Sequence, residues 1–257
     1  MPQTQLNAII LAAGYGTRLK EVGEKTAKGL FKNRDNFSIL DLVLLKLIKN
    51  QAINQVALVT NNRFHSQYKN HLSSKYPNTK INIINDGSTK PENRLGSLGD
   101  LHFAVDQLNW WDKDLLVLPS DRTPENIISA LVSDFKNNSN SFVVGVVKES
   151  KEKIKNKSGC VVLNKHNNVV DFEEKPANPK SNYLALPFYI FPRQTLSLLK
   201  KYKTQKNNMD SPGNIVPWLI TQNFPVKACL TAKKSFDIGN LEELESFQKE
   251  YSLKNNS

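Results

Sequence analysis

A glycine-rich turn after a short apolar run constrains this chain more than any other stretch. The run over residues 7–11 has the length and branching of a buried parallel strand. Small residues follow it, and they let a ligand approach the backbone closely. These residues are Ala12, Ala13, Gly14 and Gly16. Because successive exposed N–H groups in such a turn form a concave anion site, the stretch predicts a strand that ends in an anion-binding loop.

Three polar side chains near the turn indicate the kind of anion. Thr17 offers a hydroxyl donor, Arg18 a bidentate cation and Lys28 a point charge. A triphosphate is the ligand that would use all of these groups together. A plain strand and turn without a ligand is the alternative interpretation.

Spacing excludes two commoner glycine loops. The dinucleotide-binding fingerprint needs a third glycine at position 19, where this chain has Leu19. The Walker loop needs Gly-Lys-Ser/Thr five residues after its first glycine, and neither Gly14 nor Gly16 meets that requirement. The Gly-Glu-Lys-Thr stretch over residues 23–26 resembles only a fragment of a Walker loop.

Length and cysteine usage bound the class of protein. A chain of 257 residues forms one large α/β domain or two smaller ones, with a full core. Cys160 and Cys229 lie far apart without metal-type spacing, which predicts buried thiols in a reducing compartment. The apolar run over residues 8–13 is too short for a signal peptide or a membrane span. We therefore expect a cytoplasmic protein.

The net charge of +11 raises the question of nucleic-acid binding. The lysines are scattered or lie in polar runs, such as residues 148–157 and 200–206. No interleaved aromatic residues and no recognised nucleic-acid motif accompany them. The composition predicts a solvated basic surface without a nucleic-acid partner, and some of the charge helps to attract anionic substrates.

Strands and helices alternate along the chain. Apolar residues at 40, 43, 44, 47 and 48 predict a helix over residues 39–50. The alternation predicts an α/β fold with a doubly wound, mostly parallel (mixed) Rossmann-like sheet and helices on both faces. Ligands of such sheets bind beyond the carboxyl ends of the strands. Further strands are predicted over residues 56–60, 81–84, 114–119, 141–147, 169–172 and 184–191, and helices over 64–75, 98–108 and 241–251.

The strand over residues 114–119 delivers Ser120 and Asp121 at its carboxyl end. Mg²⁺ takes one or two protein carboxylates together with phosphates and waters, so Asp121 is a candidate metal ligand. A simple turn aspartate is the alternative. Thr123 and Pro124 then predict a helix start, with the threonine as N-cap and the proline at the first helical position.

Three motifs together resemble the signature of sugar-phosphate nucleotidyltransferases. They are Leu-Ala-Ala-Gly-x-Gly-Thr-Arg-Leu over residues 11–19 with Lys28, Glu-Lys-Pro over residues 174–176, and Asp-Ile-Gly over residues 237–239. The resemblance runs in order from Leu6 to about Tyr251. Departures occur where Ser120 replaces the family's glycine and where the prolines beside the lysine are missing.

The resemblance assigns a role to each matched residue. It implies that Arg18 and Lys28 act on the triphosphate and that Asp121 and Asp237 hold Mg²⁺. Asn85 or Asn93 would read the nucleotide base together with main-chain groups. The implied nucleotide-binding residues are Leu11, Ala12, Ala13, Gly14, Gly16, Thr17, Asn85, Asn93 and Gly96. The implied acceptor-binding residues are Gly159, Glu174 and Lys175.

The family's reaction combines a nucleoside triphosphate with a phosphate monoester and releases pyrophosphate. The acceptor phosphate attacks the α-phosphorus and is already an anion at neutral pH. No general base is needed, which agrees with histidines that show neither ligand nor triad spacing. Catalysis would rest on positioning and on neutralisation of charge.

The sequence does not determine which nucleotide and which acceptor are the substrates. Departures at Ser97-Leu98, Ser158 and Leu186-Pro187 favour a cytidylyltransferase that activates a small non-sugar phosphate, such as phosphocholine or an amino-acid-derived phosphate. The alternative is a sugar-1-phosphate uridylyl-, thymidylyl- or guanylyltransferase. A nucleotide-sensing regulatory protein without turnover is a third interpretation, although such a sensor need not keep both aspartates.

The resemblance to sugar-phosphate nucleotidyltransferases also predicts the domain organisation. Residues 1–251 are expected to form a single nucleotidyltransferase domain, and residues 252–257 a tail. The N-terminal half would bind the nucleotide and the C-terminal half the small phosphorylated acceptor. The sequence allows an oligomer, and it points to no membrane partner.

Overall fold

The fold is built on a mixed sheet. A computed structural model describes residues 5–232 and 235–252, and residues 253–257 of the expected tail lie outside that range. Within it, seven strands form a path in the order β3-β2-β1-β4-β8-β5-β9, and β6 pairs with both β7 and β8. The strands are β1 (Leu6–Leu11), β2 (Ile53–Thr60), β3 (Ile81–Asn85), β4 (Leu115–Pro119), β5 (Phe142–Lys148), β6 (Cys160–Leu163), β7 (Val169–Glu173), β8 (Tyr183–Phe191) and β9 (Val226–Thr231).

Helices cover both faces of the sheet, as predicted. One apolar cluster joins the sheet to α2, α3, α5 and α9, and a second joins it to α4, α7 and α8. Successive residues of β1 serve opposite faces: Ala8 and Ile10 belong to the first cluster and Ile9 to the second. The helices are α1 (Lys20–Lys25), α2 (Ile39–Ile48), α3 (His65–Lys75), α4 (Ser97–Leu108), α5 (Ile127–Asn137), α6 (Lys151–Ile154), α7 (Arg193–Thr204), α8 (Ile215–Thr221) and α9 (Leu241–Glu250).

The N-terminal half of the sheet is parallel. Strand β1 pairs with β2 on one side and β4 on the other, and β3 pairs with β2 in the same direction. The pairing continues past the strand ends, since Ala12 N donates to Val59 O at 2.8 Å and Ser120 N donates to Leu11 O at 3.1 Å. The loops after β1 and β4 therefore leave the sheet side by side.

The other half contains the antiparallel pairs. Strand β8 runs antiparallel to β4 and β5, whereas β9 is parallel to β5. Pro187 lies inside β8 and has no backbone N–H to donate, and the register between β5 and β8 shifts between Val144 and Val146. The predicted α/β class with a mixed Rossmann-like sheet is confirmed.

Two local expectations, both at the start of α5, need correction. Helix α5 begins at Ile127 rather than at Pro124. The Thr123 side chain, expected to cap that helix, instead accepts from Phe236 N at 2.9 Å and donates to Glu125 at 2.9 Å. Strand β9 and helix α7 were not predicted, since Lys227 interrupts the apolar run of the strand and three lysines lie in the second half of the helix.

Both thiols are buried and free, as the cysteine spacing predicted. Among the helices that the structure describes, none combines the length and apolar character that a membrane span requires.

A buried carboxylate joins α2 to α3. Asp41 is fully buried and accepts hydrogen bonds from Lys75 Nζ at 2.7 Å and Tyr76 Oη at 2.9 Å, and its Oδ1 lies 2.9 Å from His71 Nε2. It also closes a capping box with Ser38 at the start of α2. Burial alone would raise the pKa of Asp41, but these hydrogen bonds hold it well below its usual range.

We predict that Asp41→Ala lowers the free energy of unfolding by about 3 kcal/mol, because it leaves its polar partners unpaired. Since folding lowers the pKa of Asp41, its contribution is present above about pH 4 and is lost as the pH falls further. Urea denaturation between pH 3 and pH 7 tests both statements. The control is Glu245→Gln, which alters an exposed pair with Lys249. Equal stability of the two variants at pH 7 would contradict the prediction.

Candidate active site

The turn after β1 has the shape that its glycines predict. Gly16 adopts a left-handed conformation (φ +66°), which a side chain would strain. Helix α1 packs directly on it, since a Cβ atom on Gly23 would lie 2.3 Å from Gly16 O. A Cβ atom on Gly14 would meet no protein atom within 4 Å, so Gly14 borders open space. The turn is thus closely packed on one side and open on the other.

Two polar contacts fix the turn. Asn61, at the end of β2, donates its side-chain amide to Ala13 O at 2.9 Å. Tyr15 Oη donates to Ser88 Oγ at 2.9 Å. In the described part of the chain, the N–H groups of Gly14 and Gly16 have no hydrogen-bond partner, so these donors are available to an anion.

Two cavities open on this turn. An inner cavity of about 140 Å³ and an outer one of about 430 Å³ share Ala13, Gly14, Lys28 and Asp121 among their walls. Leu11 and Ala12 line the inner cavity. Gly16, Thr17, Arg18 and Gly96 line the outer one. The structure therefore brings most of the predicted nucleotide-binding residues together.

Lys28 and Asp121 form an ion pair inside these cavities, with 3.2 Å between Lys28 Nζ and Asp121 Oδ2. Lys28 lies at the start of a short 3₁₀ turn, which packs closely against the loop after β4. A Cβ atom on Gly29 would lie 2.9 Å from Ser120 O. This close packing positions the lysine beside the carboxylate.

Backbone hydrogen bonds place Asp237 close to Asp121. Thr123 N donates to Phe236 O at 2.9 Å, and Ile238 N donates to Asp121 O at 3.1 Å. Between these bonds, the Arg122 guanidinium donates to Asp237 and, at 3.0 Å, to Ser235 Oγ. Burial raises the pKa of Asp237, the nearby Asp121 carboxylate adds to the rise, and Arg122 opposes it.

A third cavity, of about 560 Å³, lies beyond these aspartates. Its walls include Arg18 and Lys175, which also line the outer cavity. We term it the acceptor-side cavity. Lys153 and Lys157 also line it, although the sequence placed them in a merely solvated run. The positively charged side chains of Arg18 and Lys175 therefore lie at the border between the outer cavity and the acceptor-side cavity.

The other predicted acceptor residues lie close by. Burial raises the pKa of Glu174, and a Cβ atom on Gly213 would lie 2.9 Å from its Oε2 atom. Gly159 is buried, and a Cβ atom there would lie 2.7 Å from Phe172 Cζ. Gly159 therefore makes room for Phe172 in the structure, and its contact with an acceptor stays a prediction.

The two candidate base-reading asparagines are engaged elsewhere. Asn85 donates to Asn62 Oδ1 at 2.8 Å and accepts from Gly87 N at 3.0 Å. Asn93 Oδ1 accepts from Thr89 N and Lys90 N, both at 3.1 Å. Neither asparagine is among the cavity-lining residues of the described chain, so their base-reading role stays a prediction.

Comparison with known proteins decides the family. The profile of the family described as "Nucleotidyl transferase" matches residues 7–253. The chain belongs to the nucleotidyl transferase family. The resemblance recognised in the sequence is thereby confirmed.

Among individual proteins, this nucleotidyl transferase is similar to a glucose-1-phosphate adenylyltransferase of Mycoplasma mobile. The two are 29% identical over 232 residues, which cover 86% of this chain and 60% of the relative. The chain thus spans less than two thirds of that relative's length.

Solved structures share the fold. One is described as a glucose-1-phosphate thymidylyltransferase from Bacillus anthracis in complex with sucrose, with a TM-score of 0.75 and 16% identity over 96% of this chain and 97% of that one. The other is a UDP-glucose pyrophosphorylase complexed with UDP-glucose, with a TM-score of 0.76 and 15% identity over 95% and 97%.

Sequence reasoning missed two neighbouring acidic side chains of this nucleotidyl transferase, Asp86 and Asp100, of which Asp100 lines the inner and outer cavities. Asp100 is 6% exposed and lines both the inner and the outer cavity. Burial, together with the neighbouring Asp86 carboxyl group, raises the pKa of Asp100 to about 8. The available signal was an aspartate at position 100, where the resembled family commonly has alanine.

We predict that Gly23→Ala destabilises the protein by about 1–3 kcal/mol, because its methyl group must displace the Gly16 backbone or Leu19. Gly14→Ala adds the same methyl group to open space and is expected to change stability by less than about 0.5 kcal/mol. Guanidinium denaturation of both variants measures the difference. Equal midpoints would contradict the packing described for the turn.

Proposed function

We propose that this chain transfers a nucleoside monophosphate from a nucleoside triphosphate to a sugar 1-phosphate and releases pyrophosphate. One observation carries the proposal: Arg18 and Lys175 line both the outer cavity and the acceptor-side cavity. A reaction between two anionic substrates needs cations at the place where the reacting groups meet. The shared border of the two cavities provides them.

The comparisons favour a sugar 1-phosphate over the non-sugar acceptor that the sequence alone favoured. The adenylyltransferase of Mycoplasma mobile carries glucose 1-phosphate in its name. The structural neighbours are named for glucose 1-phosphate and UDP-glucose. Support for a cytidylyltransferase with phosphocholine is lacking, so the sugar 1-phosphate reading becomes the main proposal.

Each part of the cleft has a task in this reaction. The N–H groups of Gly14 and Gly16 and the Arg18 guanidinium would bind the triphosphate. Lys28 would neutralise charge on the same group. Lys175 would hold the acceptor phosphate, which is the nucleophile and needs no general base. Catalysis then comes from alignment of the two substrates and from charge neutralisation.

Asp121 and Asp237 are the residues that would hold Mg²⁺. The donor set fits this ion, because two carboxylates from adjacent segments leave other coordination positions to phosphate and water. Burial raises the pKa of Asp237 and the Asp121 carboxylate adds to the rise, so a bound cation would favour the charged form of Asp237. When bound, Mg²⁺ would polarise the phosphoryl oxygens and stabilise developing charge.

The direct test is release of pyrophosphate from each nucleoside triphosphate with a panel of acceptors. The panel contains several sugar 1-phosphates, phosphocholine and inorganic phosphate. We expect turnover with at least one sugar 1-phosphate and none with inorganic phosphate. Nucleotide binding without pyrophosphate release from any pair would contradict the proposal and favour a nucleotide sensor.

We predict that Asp121→Asn keeps the fold and lowers kcat by at least about a hundredfold, because it removes negative charge where a metal ion would bind. The matched control is Asp171→Asn, which removes an exposed carboxylate paired with Lys180. Circular dichroism and pyrophosphate release are measured on both variants. Turnover by Asp121→Asn at the wild-type rate in saturating Mg²⁺ would refute the metal assignment.

Lys175 and Arg18 are expected to differ in the substrate that they serve. Lys175→Ala should raise the KM for the acceptor about ten- to a hundredfold, since a charge-assisted hydrogen bond is worth about 1.5–3 kcal/mol. Calorimetric affinity for the nucleoside triphosphate should hardly change in that variant. Arg18→Ala should weaken nucleotide binding directly. Equal losses of nucleotide affinity in both variants would contradict a two-sided cleft.

A further inference from the structure

We propose that the acceptor carries a second negatively charged group besides the phosphate that reacts, and that Lys157 and Lys153 bind this second group. A carboxylate and a second phosphate both offer the negative charge that two ammonium groups bind. The inference rests on the proposed function, because it concerns the acceptor of the same cleft.

The acceptor-side cavity holds more positive charge than one phosphate requires. Among the described residues, five cationic side chains and two carboxylates line it. The cations are Arg18, Arg122, Lys153, Lys157 and Lys175, and the carboxylates are Asp237 and Glu243. This excess of positive charge favours the entry of an acceptor with more than one anionic group.

The cations differ in their distance from the reacting groups. Arg18 and Lys175 lie at the border with the outer cavity, where the acceptor phosphate would meet the triphosphate. Lys153 and Lys157 line the acceptor-side cavity and are not among the described residues that line the outer one. An anionic group that they bind is therefore separate from the phosphate that reacts.

Existing contacts leave these two lysines available to a ligand, whereas Arg122 already donates to Asp237 and Ser235. Lys153 Nζ lies 3.4 Å from Glu149 Oε1, but its side chain is 60% exposed, so this pair is weak. Within the described part of the chain, Lys157 forms no ion pair. Both lysines are exposed, so an anion in solution reaches them.

The turn that carries both lysines is fixed to the cleft. Ile154, which lies between them in sequence, is fully buried, and its carbonyl oxygen accepts from Lys157 N at 3.0 Å. Asn156 N donates to Pro176 O at 3.0 Å, directly after Lys175. These contacts hold the turn beside the residue that would bind the acceptor phosphate, and they distinguish these lysines from the basic surface elsewhere.

The rest of the cavity suits a sugar that bears such a group. Its volume of about 560 Å³ lies within the range of small-molecule pockets. Asn156 and Ser158 also line it, and their side chains both donate and accept, as sugar hydroxyl groups require. Lysine side chains only donate, and their hydrogen bonds are strongest when the acceptor atom is charged. A quaternary ammonium group, as in phosphocholine, would be repelled by them.

Turnover of matched acceptors tests the inference. Glucose 1-phosphate and galactose 1-phosphate are each compared with the uronic acid 1-phosphate, which has a carboxylate in place of the 6-hydroxymethyl group. The neutral amide of each uronic acid controls for size, and the 6-phosphorylated sugar 1-phosphate distinguishes a phosphate from a carboxylate. We expect kcat/KM for pyrophosphate release to be at least about tenfold higher with an acidic acceptor than with its neutral counterparts.

Three variants locate the preference. Lys153→Gln combined with Lys157→Gln should reduce it to less than about threefold, with the loss falling on the acidic acceptors. Lys157→Glu should favour the neutral amide over the uronic acid, because like charges then face each other. The matched control is Lys136→Gln, which removes a lysine from a separate surface cavity and should keep the wild-type preference.

The outcomes separate the two proposals. Equal or faster turnover of the neutral acceptors, or a preference that persists in the double variant, would overturn this inference and leave the proposed function intact. Loss of the preference in Lys136→Gln would show an effect of overall charge and would also overturn it. Absence of pyrophosphate release with every acceptor would refute the proposed function and this inference together.

Discussion

The backbone hydrogen bonds between residues 121–123 and residues 236–238 hold the site together. They join the carboxyl end of β4 to a segment more than a hundred residues later, and they place Asp237 in the electrostatic field of Asp121. Bringing together segments so far apart in sequence carries an entropic cost that buried contacts must offset. Helix α9, which follows this segment, contributes to that offset by burying Leu244 and Phe247 in the core.

Each of the two aspartates in the cleft forms an ion pair with a basic side chain. Lys28 contacts Asp121 and Arg122 contacts Asp237, while Arg18 and Lys175 line the cavities on either side. Partial neutralisation lets the carboxylates and the cations occupy one small region without severe repulsion. In the proposed reaction, a polyphosphate in this region would meet cations already in position, which is a form of electrostatic preorganisation.

The local elements of the fold were predictable because their signals lie in contiguous residues. Strand β1 and its turn follow directly from branched apolar residues, Gly14 and Gly16, and helix α2 from its apolar spacing. The role of Gly23 was not predictable, because it depends on contact with Gly16 after the chain has turned back. The same holds for Arg122, whose partner Asp237 is distant in sequence.

Asp86 and Asp100 also show what could not be predicted from the sequence. Asp86 and Asp100 each read as ordinary polar residues, one in a turn and one near a helix start, and only burial beside each other makes them unusual. Asn85 and Asn93 have side chains of a type that suits base recognition, and local hydrogen bonds engage both of them in the structure, so their base-reading role stays a prediction. Residue type indicates chemistry, whereas position in the fold decides whether that chemistry faces the cleft.

Hydrogen–deuterium exchange with and without a nucleoside triphosphate and Mg²⁺ tests the central claim most directly. The claim is that the turn after β1 binds the triphosphate through its free N–H groups. Exchange should slow in peptides that cover residues 12–18 and 119–123. It should not change at a separate surface cavity of about 440 Å³ between α2 and α5, where Lys46, Lys49 and Lys136 also offer positive charge. Protection at that surface cavity with unchanged exchange over residues 12–18 would contradict the account.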